Sequence, residues 1–161
     1  MIVLLRDPVE RALSQYFHAK RLGFEELPLE DAFAAESSRL LNSLDIVMEA
    51  GGIHFSHQKH SYLSRSRYDN QIKRYFDFFR PSQLLILRSE DLFKNPDIAK
   101  KEIELFLNLS PFPSCTSLLR ANEGDGKASG VSASFRGYLR SQLESTYNWL
   151  ENELDLSWPN R

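Results

Sequence analysis

Two short apolar runs constrain this chain more than any other feature. Ile2–Leu5 ("IVLL") and Leu84–Leu87 ("LLIL") are each followed by an arginine, Arg6 and Arg88, with acidic residues just beyond. Four apolar residues without polar alternation suit a strand buried on both faces, as in a parallel sheet. We therefore read residues 2–5 and 84–88 as strands. After the first run, Asp7-Pro8 opens a helix. Proline fits the first helical turn, where its missing N–H costs nothing, and the aspartate before it can cap.

Between and after these strands the periodicity is helical. Ala12, Leu13, Tyr16 and Phe17 give residues 8–22 a buried stripe that Gly23 ends. Leu29–Phe33 and Leu40–Met48 read as two shorter helices, the first opened by Pro28 and the second closed by Gly51-Gly52. Residues 53–60 form a polar, His-rich connection. From Tyr62 to Phe79 a helical period runs through Tyr68, Ile72, Tyr75, Phe76 and Phe79, aromatics expected in the core. Asn95-Pro96 starts a further helix in which Ile98, Ile103, Phe106 and Leu107 are expected to face inward. Residues 108–134 are loop-rich, and a last helix spans about 135–154 with Leu139, Leu143, Tyr147 and Leu150 in register. This order predicts an α/β layer fold with a parallel sheet. Two strands alone do not make an independently stable sheet, so the chain reads as the later part of a larger α/β domain.

Composition narrows the function classes. Twenty basic against 22 acidic side chains give a net charge of −2. No global positive field draws the chain to nucleic acid or an anionic membrane, so an anion site has to be local. Cys115 is the single cysteine, which excludes an intrachain disulfide and fits a reducing compartment. Apolar runs fall far short of the ~20 residues a spanning helix needs. A cytoplasmic protein is the expectation.

The spacing Arg6-Asp7-Pro8, Arg11, Ser14, Tyr16 closely resembles the R-x-P-x-x-R-x-x-S-x-Y signature of the PAPS-dependent sulfotransferases, PAPS being 3′-phosphoadenylyl sulfate. "RYDNQIKRYFDFFRPSQLLILRSEDLFKNP" (67–96) is similar to that family's helix, strand and "EDL" segment. "KASGVSASFRGYLRSQLESTYNWLENEL" (127–154) resembles the C-terminal part of its carbohydrate-type members, with Trp158 following. The resemblance implies a three-layer, P-loop-like α/β fold and a single sulfotransferase-like domain over residues 1–161. It implies that Arg6 and Ser14 grip the 3′-phosphate of the donor. A phosphate suits a planar permanent cation and a short hydroxyl donor. The plain alternative is a strand-end arginine paired with Asp7 or Glu10, and a solvated serine. Arg11 is read as structural, a partner of Asp7.

The resemblance also implies that the loop "GDGKASG" (124–130) closes over the nucleotide. Lys127 would reach a phosphate, while Ser129 and Gly130 would offer backbone N–H groups. The plain alternative is a surface loop. It is not a Walker A sequence, since no strand and no correctly spaced glycine precede Gly126-Lys127, and this disfavours a P-loop kinase. Family members often have glycine where Ala128 stands. In the family a further Gly/Lys/Thr-or-Ser loop, with the first strand, cradles the 5′-phosphosulfate. No residue here corresponds to it, so the sheet is expected to be N-terminally incomplete and the chain by itself to lack turnover.

His54, His57 and His60 invite a metal reading, but no carboxylate or cysteine accompanies them. A general base is chemically reasonable, and a polar acceptor-side loop is the reading preferred. Glu90 and Asp91 follow a strand end, where either a site or a capping role is open. The expectation is a sulfuryl transfer from PAPS, leaving PAP, to a hydroxyl or amine of a small-molecule or carbohydrate acceptor, carbohydrate being the reading preferred, with no metal, no nucleic acid and no membrane span, and with the catalytic residue unassigned. The alternative is a catalytically incompetent fragment or pseudoenzyme that keeps part of a 3′-phosphoadenosine site. An unpaired edge on the Ile2–Leu5 strand adds the expectation of self-association.

Overall fold

A computed structural model of the chain describes residues 1–49, 52–113 and 126–159. Along it run β1 (Ile2–Leu5), α1 (Pro8–Arg21), α2 (Leu29–Ala34), α3 (Glu36–Arg39), α4 (Ser43–Met48), α5 (Phe55–Lys59), α6 (Tyr68–Phe76), β2 (Leu85–Arg88), α7 (Ser89–Lys94), α8 (Pro96–Leu107), α9 (Ala133–Gln142) and α10 (Glu144–Leu154). Single 3₁₀ turns occur at Ser64–Ser66, Pro81–Gln83 and Lys127–Gly130. The chain divides into two compact units: residues 1–7 with the chain from Asn70 through α8, and residues 8–69 with the chain from the Lys127 turn onward. Among the described residues no helix is long and apolar enough to cross a membrane.

The first unit is built on the two apolar runs. β1 and β2 pair in parallel, with Ile2 opposite Leu85 and Leu5 opposite Arg88. Leu5 and Leu87 are buried, but Ile2 at 37% and Leu4 at 51% exposure leave β1 buried on one face rather than on both as expected. The acids after β2 tie the strand ends together. Glu90 Oε1 accepts the N–H of Asp7 at 2.9 Å, and Arg88 Nε donates to Asp91 Oδ2 at 2.6 Å. Pro96 occupies the first turn of α8, which ends at Asn108 in the left-handed region (φ 52°). The inward face of α8 differs from the expected one. Ala99 is its buried residue, while Ile98 is 62% and Leu107 46% exposed. A helix packed on β2 and α7 offers a narrow stripe to so small a partner, and the methyl of Ala99 permits close approach there. Tyr75 and Phe79 are likewise exposed rather than buried.

In the second unit α1 buries Val9, Ala12, Leu13, Tyr16 and Ala19. It ends at Gly23, whose φ of +72° is the left-handed conformation that glycine adopts without strain. Tyr16, Phe33 and Tyr62 form an aromatic core: Phe33 stacks on Tyr62 at 5.1 Å between centroids, and Tyr16 meets Tyr62 edge-on at 5.9 Å. Glu25, buried beneath them, accepts hydrogen bonds from Arg39 (2.5 and 3.2 Å), the Tyr62 hydroxyl (2.6 Å) and the Leu27 N–H (2.9 Å). Burial alone would push this carboxyl upward. The donors outweigh it and hold it at about 2.

Of the expected helices, one is shortened and two are divided. The Leu40–Met48 helix is confined to Ser43–Met48, because Asn42 sits in the left-handed region (φ 58°) just before it. The Tyr62–Phe79 helix is a 3₁₀ turn followed by α6. The last helix breaks at Leu143 (φ −114°, ψ 10°) into α9 and α10, although Leu139, Leu143 and Leu150 are all fully buried. The Thr146 hydroxyl donates to Asp69 at 2.6 Å, and Arg140 stacks 3.9 Å from the Tyr147 ring centroid. The His-rich connection contains a helix, α5, capped by His54.

Candidate functional site

Of the expected residues, Ser14, Lys127, Ser129 and Gly130 lie in the second unit and Arg6 in the first. Ser14 lies half-buried on the middle turns of α1, and the Lys127–Gly130 turn packs against the same helix. The chain enters that turn through Gly126, held at φ +77°, a conformation that a side chain would strain. The Ser129 N–H and hydroxyl both donate to the Gly126 carbonyl, at 3.0 and 2.7 Å, and the Val131 N–H donates to the Ala128 carbonyl at 3.2 Å. Ser132 then caps α9 by accepting the Phe135 N–H at 3.2 Å. Lys127, Ser129 and Gly130 are all exposed. Residues 124–125 of the predicted loop, and Cys115, lie outside the described residues.

The turn is also fastened from α9. Arg136 donates through Nη2 to the Ala128 carbonyl at 2.6 Å, and through Nη1 it forms an ion pair with Glu10 of α1. Neither Glu10 nor Arg136 was expected in this role. Two ordinary charges so far apart in the chain carry no spacing signal, and only the fold pairs them.

Arg11, the second arginine of the opening motif, points its guanidinium at the segment before α6. It donates to the Ser66 hydroxyl (2.9 Å) and to the carbonyls of Ser61 (3.0 Å) and Tyr62 (2.5 Å). Glu36 holds the same segment by accepting the N–H groups of Leu63 and Ser64, both at 2.8 Å. Burial pushes the Glu36 carboxyl up, against the pull of those N–H groups and of Arg11 and Arg67. These bonds, rather than one to Asp7, are what Arg11 makes in the second unit.

In the first unit, Arg6 stands exposed directly after β1, and Asp7 behind it is anchored to Glu90. Glu90 and Asp91 therefore hold strand ends. The three histidines are engaged separately. His54 Nδ1 accepts the His57 N–H at 3.2 Å, His57 Nδ1 lies 3.2 Å from the Ser43 hydroxyl, and His60 Nε2 lies 2.8 Å from the Phe24 carbonyl. Among the described residues no group of three His, Cys, Asp or Glu could hold a metal ion.

The family model described as "Sulfotransferase domain" matches residues 1–120, a stretch that contains Arg6 and Ser14 and stops short of Lys127. The bifunctional heparan sulfate N-deacetylase/N-sulfotransferase 2 of Mus musculus is 26% identical over 132 residues, and that of Homo sapiens is 25% identical over the same length. Each alignment covers 78% of this chain but 13% of the relative, so the chain spans a small part of those proteins. The crystal structure of a sulfotransferase from Alicyclobacillus acidocaldarius matches with a TM-score of 0.57 at 24% identity. That match covers 89% of this chain and 52% of the other, a likeness of fold. With its parallel strand pair, its strand–turn–helix opening and a family match over most of its length, the chain belongs to the sulfotransferase domain family.

Proposed function

We propose that this chain binds PAPS and serves in transfer of its sulfuryl group to a hydroxyl or amine of a carbohydrate acceptor. One observation carries the reading. The turn bearing Lys127 packs on α1, the helix that bears Ser14, within a single compact unit. The donor set fits a phosphorylated nucleotide: Arg6 supplies a planar permanent cation, Ser14 a short hydroxyl donor, and Lys127 a point charge. The names of the two mammalian relatives favour a carbohydrate acceptor, heparan sulfate being one.

PAPS, when bound, would supply the sulfuryl group, with adenosine 3′,5′-bisphosphate as the leaving group. The residues of this chain bind and orient. Arg6 and Ser14 are assigned the 3′-phosphate, each by its place in the opening motif. Lys127, with Ser129 and Gly130 behind it in the turn, is assigned to phosphate charge by its place in the resembling loop. Catalysis of this kind rests on positioning and on stabilising charge where it develops.

The test compares adenosine 3′,5′-bisphosphate with 5′-AMP, which differ only by the 3′-phosphate. Charge-assisted hydrogen bonds contribute about 1.5–3 kcal/mol each, so loss of the phosphate should weaken binding about tenfold to a hundredfold per contact. Arg6→Ala should erase most of that discrimination. Arg6→Lys should restore part of it, since a point charge cannot reproduce the guanidinium fork, and Ser14→Ala should act more weakly in the same direction. Titration calorimetry at fixed salt decides the matter. Equal binding of the two nucleotides by the wild-type chain overturns the assignment.

A further inference from the structure

Arg136 does more than complete a helix surface. Its single guanidinium engages two separate segments of the second unit, the Ala128 carbonyl inside the Lys127–Gly130 turn and the Glu10 carboxylate on α1. Both side chains are largely withdrawn from water, Arg136 at 16% and Glu10 at 18% exposure, where salt screens an ion pair less than at the open surface. Glu10 and Ser14 are four residues apart on α1 and so share one face of that helix. Arg136 lies on the first turns of α9, immediately after the chain leaves the turn through Ser132. The guanidinium therefore closes a short cycle: turn, helix start, arginine, and back to the turn.

We propose that Arg136 and Glu10 form a latch that holds the Lys127-bearing turn on the Ser14 face of α1, which makes Arg136 a positioning residue for Lys127. The proposal rests on the nucleotide reading given above and specifies how its lid is held. Lys127, Ser129 and Gly130 are exposed, and the bonds inside the turn, from Ser129 to Gly126 and from Val131 to Ala128, fix its shape without fixing its place. The Arg136 bond to the middle carbonyl of the turn supplies the place. Because that bond and the Glu10 pair share one side chain, removal of Arg136 breaks both. A ligand meeting an unlatched turn must recapture it from a broader ensemble. Its apparent affinity then falls in proportion to the fraction of chains whose turn is already seated.

The experiment uses the whole chain and two readouts. Amide hydrogen exchange at Ser129 and Val131 reports the turn, and calorimetric affinity for adenosine 3′,5′-bisphosphate reports its use. Arg136→Gln and Glu10→Gln should each speed exchange at those amides and weaken nucleotide binding about tenfold, the result of the seated fraction falling to about a tenth. The double variant should be no weaker than either single one, since both remove the same latch. Arg136→Lys and Glu10→Asp, which keep the charges, should recover part of both effects and guard against a variant that fails to fold. Faster exchange with unchanged nucleotide affinity overturns the positioning role while leaving the nucleotide reading intact. Unchanged exchange overturns the latch itself. A wild-type chain that does not bind the nucleotide removes the reading and this inference together.

Discussion

In the unit built on α1, the buried carboxylate of Glu25 gathers donors from three segments, and that of Glu36 takes two adjacent N–H groups of one segment. Glu25 joins Arg39, Tyr62 and Leu27, and Glu36 joins Leu63 and Ser64. In the unit built on β1 and β2, the carboxylates of Glu90 and Asp91 are half-buried and fasten strand ends, to Asp7 and Arg88. The apolar surfaces differ in the same sense. The α1 unit closes an aromatic core around a fully buried Tyr62. The strand unit leaves Leu4 51% and Leu105 74% exposed. A two-stranded sheet has too little area to bury its neighbours, whereas a set of short helices joined by satisfied buried charges can be specified tightly. The comparison teaches that fixed geometry in this chain comes from polar clamps seated in apolar surroundings, not from the sheet.

The sharpest way to break that comparison is to remove the Glu25 carboxylate. Glu25→Ala should cost about 4 kcal/mol, because Arg39 and the Tyr62 hydroxyl lose their partner inside the fold; denaturant titration measures it. The same group predicts an acid limb. Its carboxyl is held at about 2 against an ordinary 4.5, so its contribution is complete above pH 4.5 and disappears as pH falls through about 2. Glu36 acts with the opposite sign. Its carboxyl is raised in the folded chain, so its contribution is complete below the ordinary carboxylate range and is lost as pH rises. Glu25→Gln should therefore flatten the loss of stability between pH 4.5 and about 2. A variant with an unchanged acid limb would show that Glu25 does not govern it.

Smaller effects sharpen the contrast. Leu143→Ala removes a fully buried side chain from the α9–α10 junction and should cost about 3 kcal/mol. Ile98→Ala on α8 should stay within about 0.5 kcal/mol, since its side chain is already mostly in water. Thermal melts of the two variants side by side test the comparison, and equal losses would refute it.

What the sequence made legible follows from the same physics. The strands were readable because "IVLL" and "LLIL" have no polar alternation, and both lie within one residue of where they were expected. The start and end of α1 were readable because Pro8 and Gly23 act locally. The breaks at Asn42 and Leu143 were not. An asparagine in the left-handed region looks like any surface asparagine, and Leu143 keeps the helical period while its backbone leaves the helix. The inward face of α8 was misread because hydrophobicity points to Ile98 and Leu107, while close packing selects Ala99. At the candidate site, the motif singled out Arg6 and Ser14 and the lysine loop by resemblance. Glu10 and Arg136 could emerge only once α1 and α9 were folded together.

The parallel pairing of β1 with β2 also bears on how the chain is made. Asp7 and Glu90, joined by a hydrogen bond next to the paired strand ends, are 83 residues apart in the sequence. At a synthesis rate of about 5–20 residues per second, the Ile2–Leu5 run leaves the ribosome roughly 4–17 s before its partner exists. Through that interval the apolar strand lacks β2, and an exposed strand edge favours capture by chaperones or by other nascent chains. α1 faces no such delay in forming, since its hydrogen bonds are local. Anything that slows translation between α1 and β2 should therefore lower the yield of folded protein without changing its final stability.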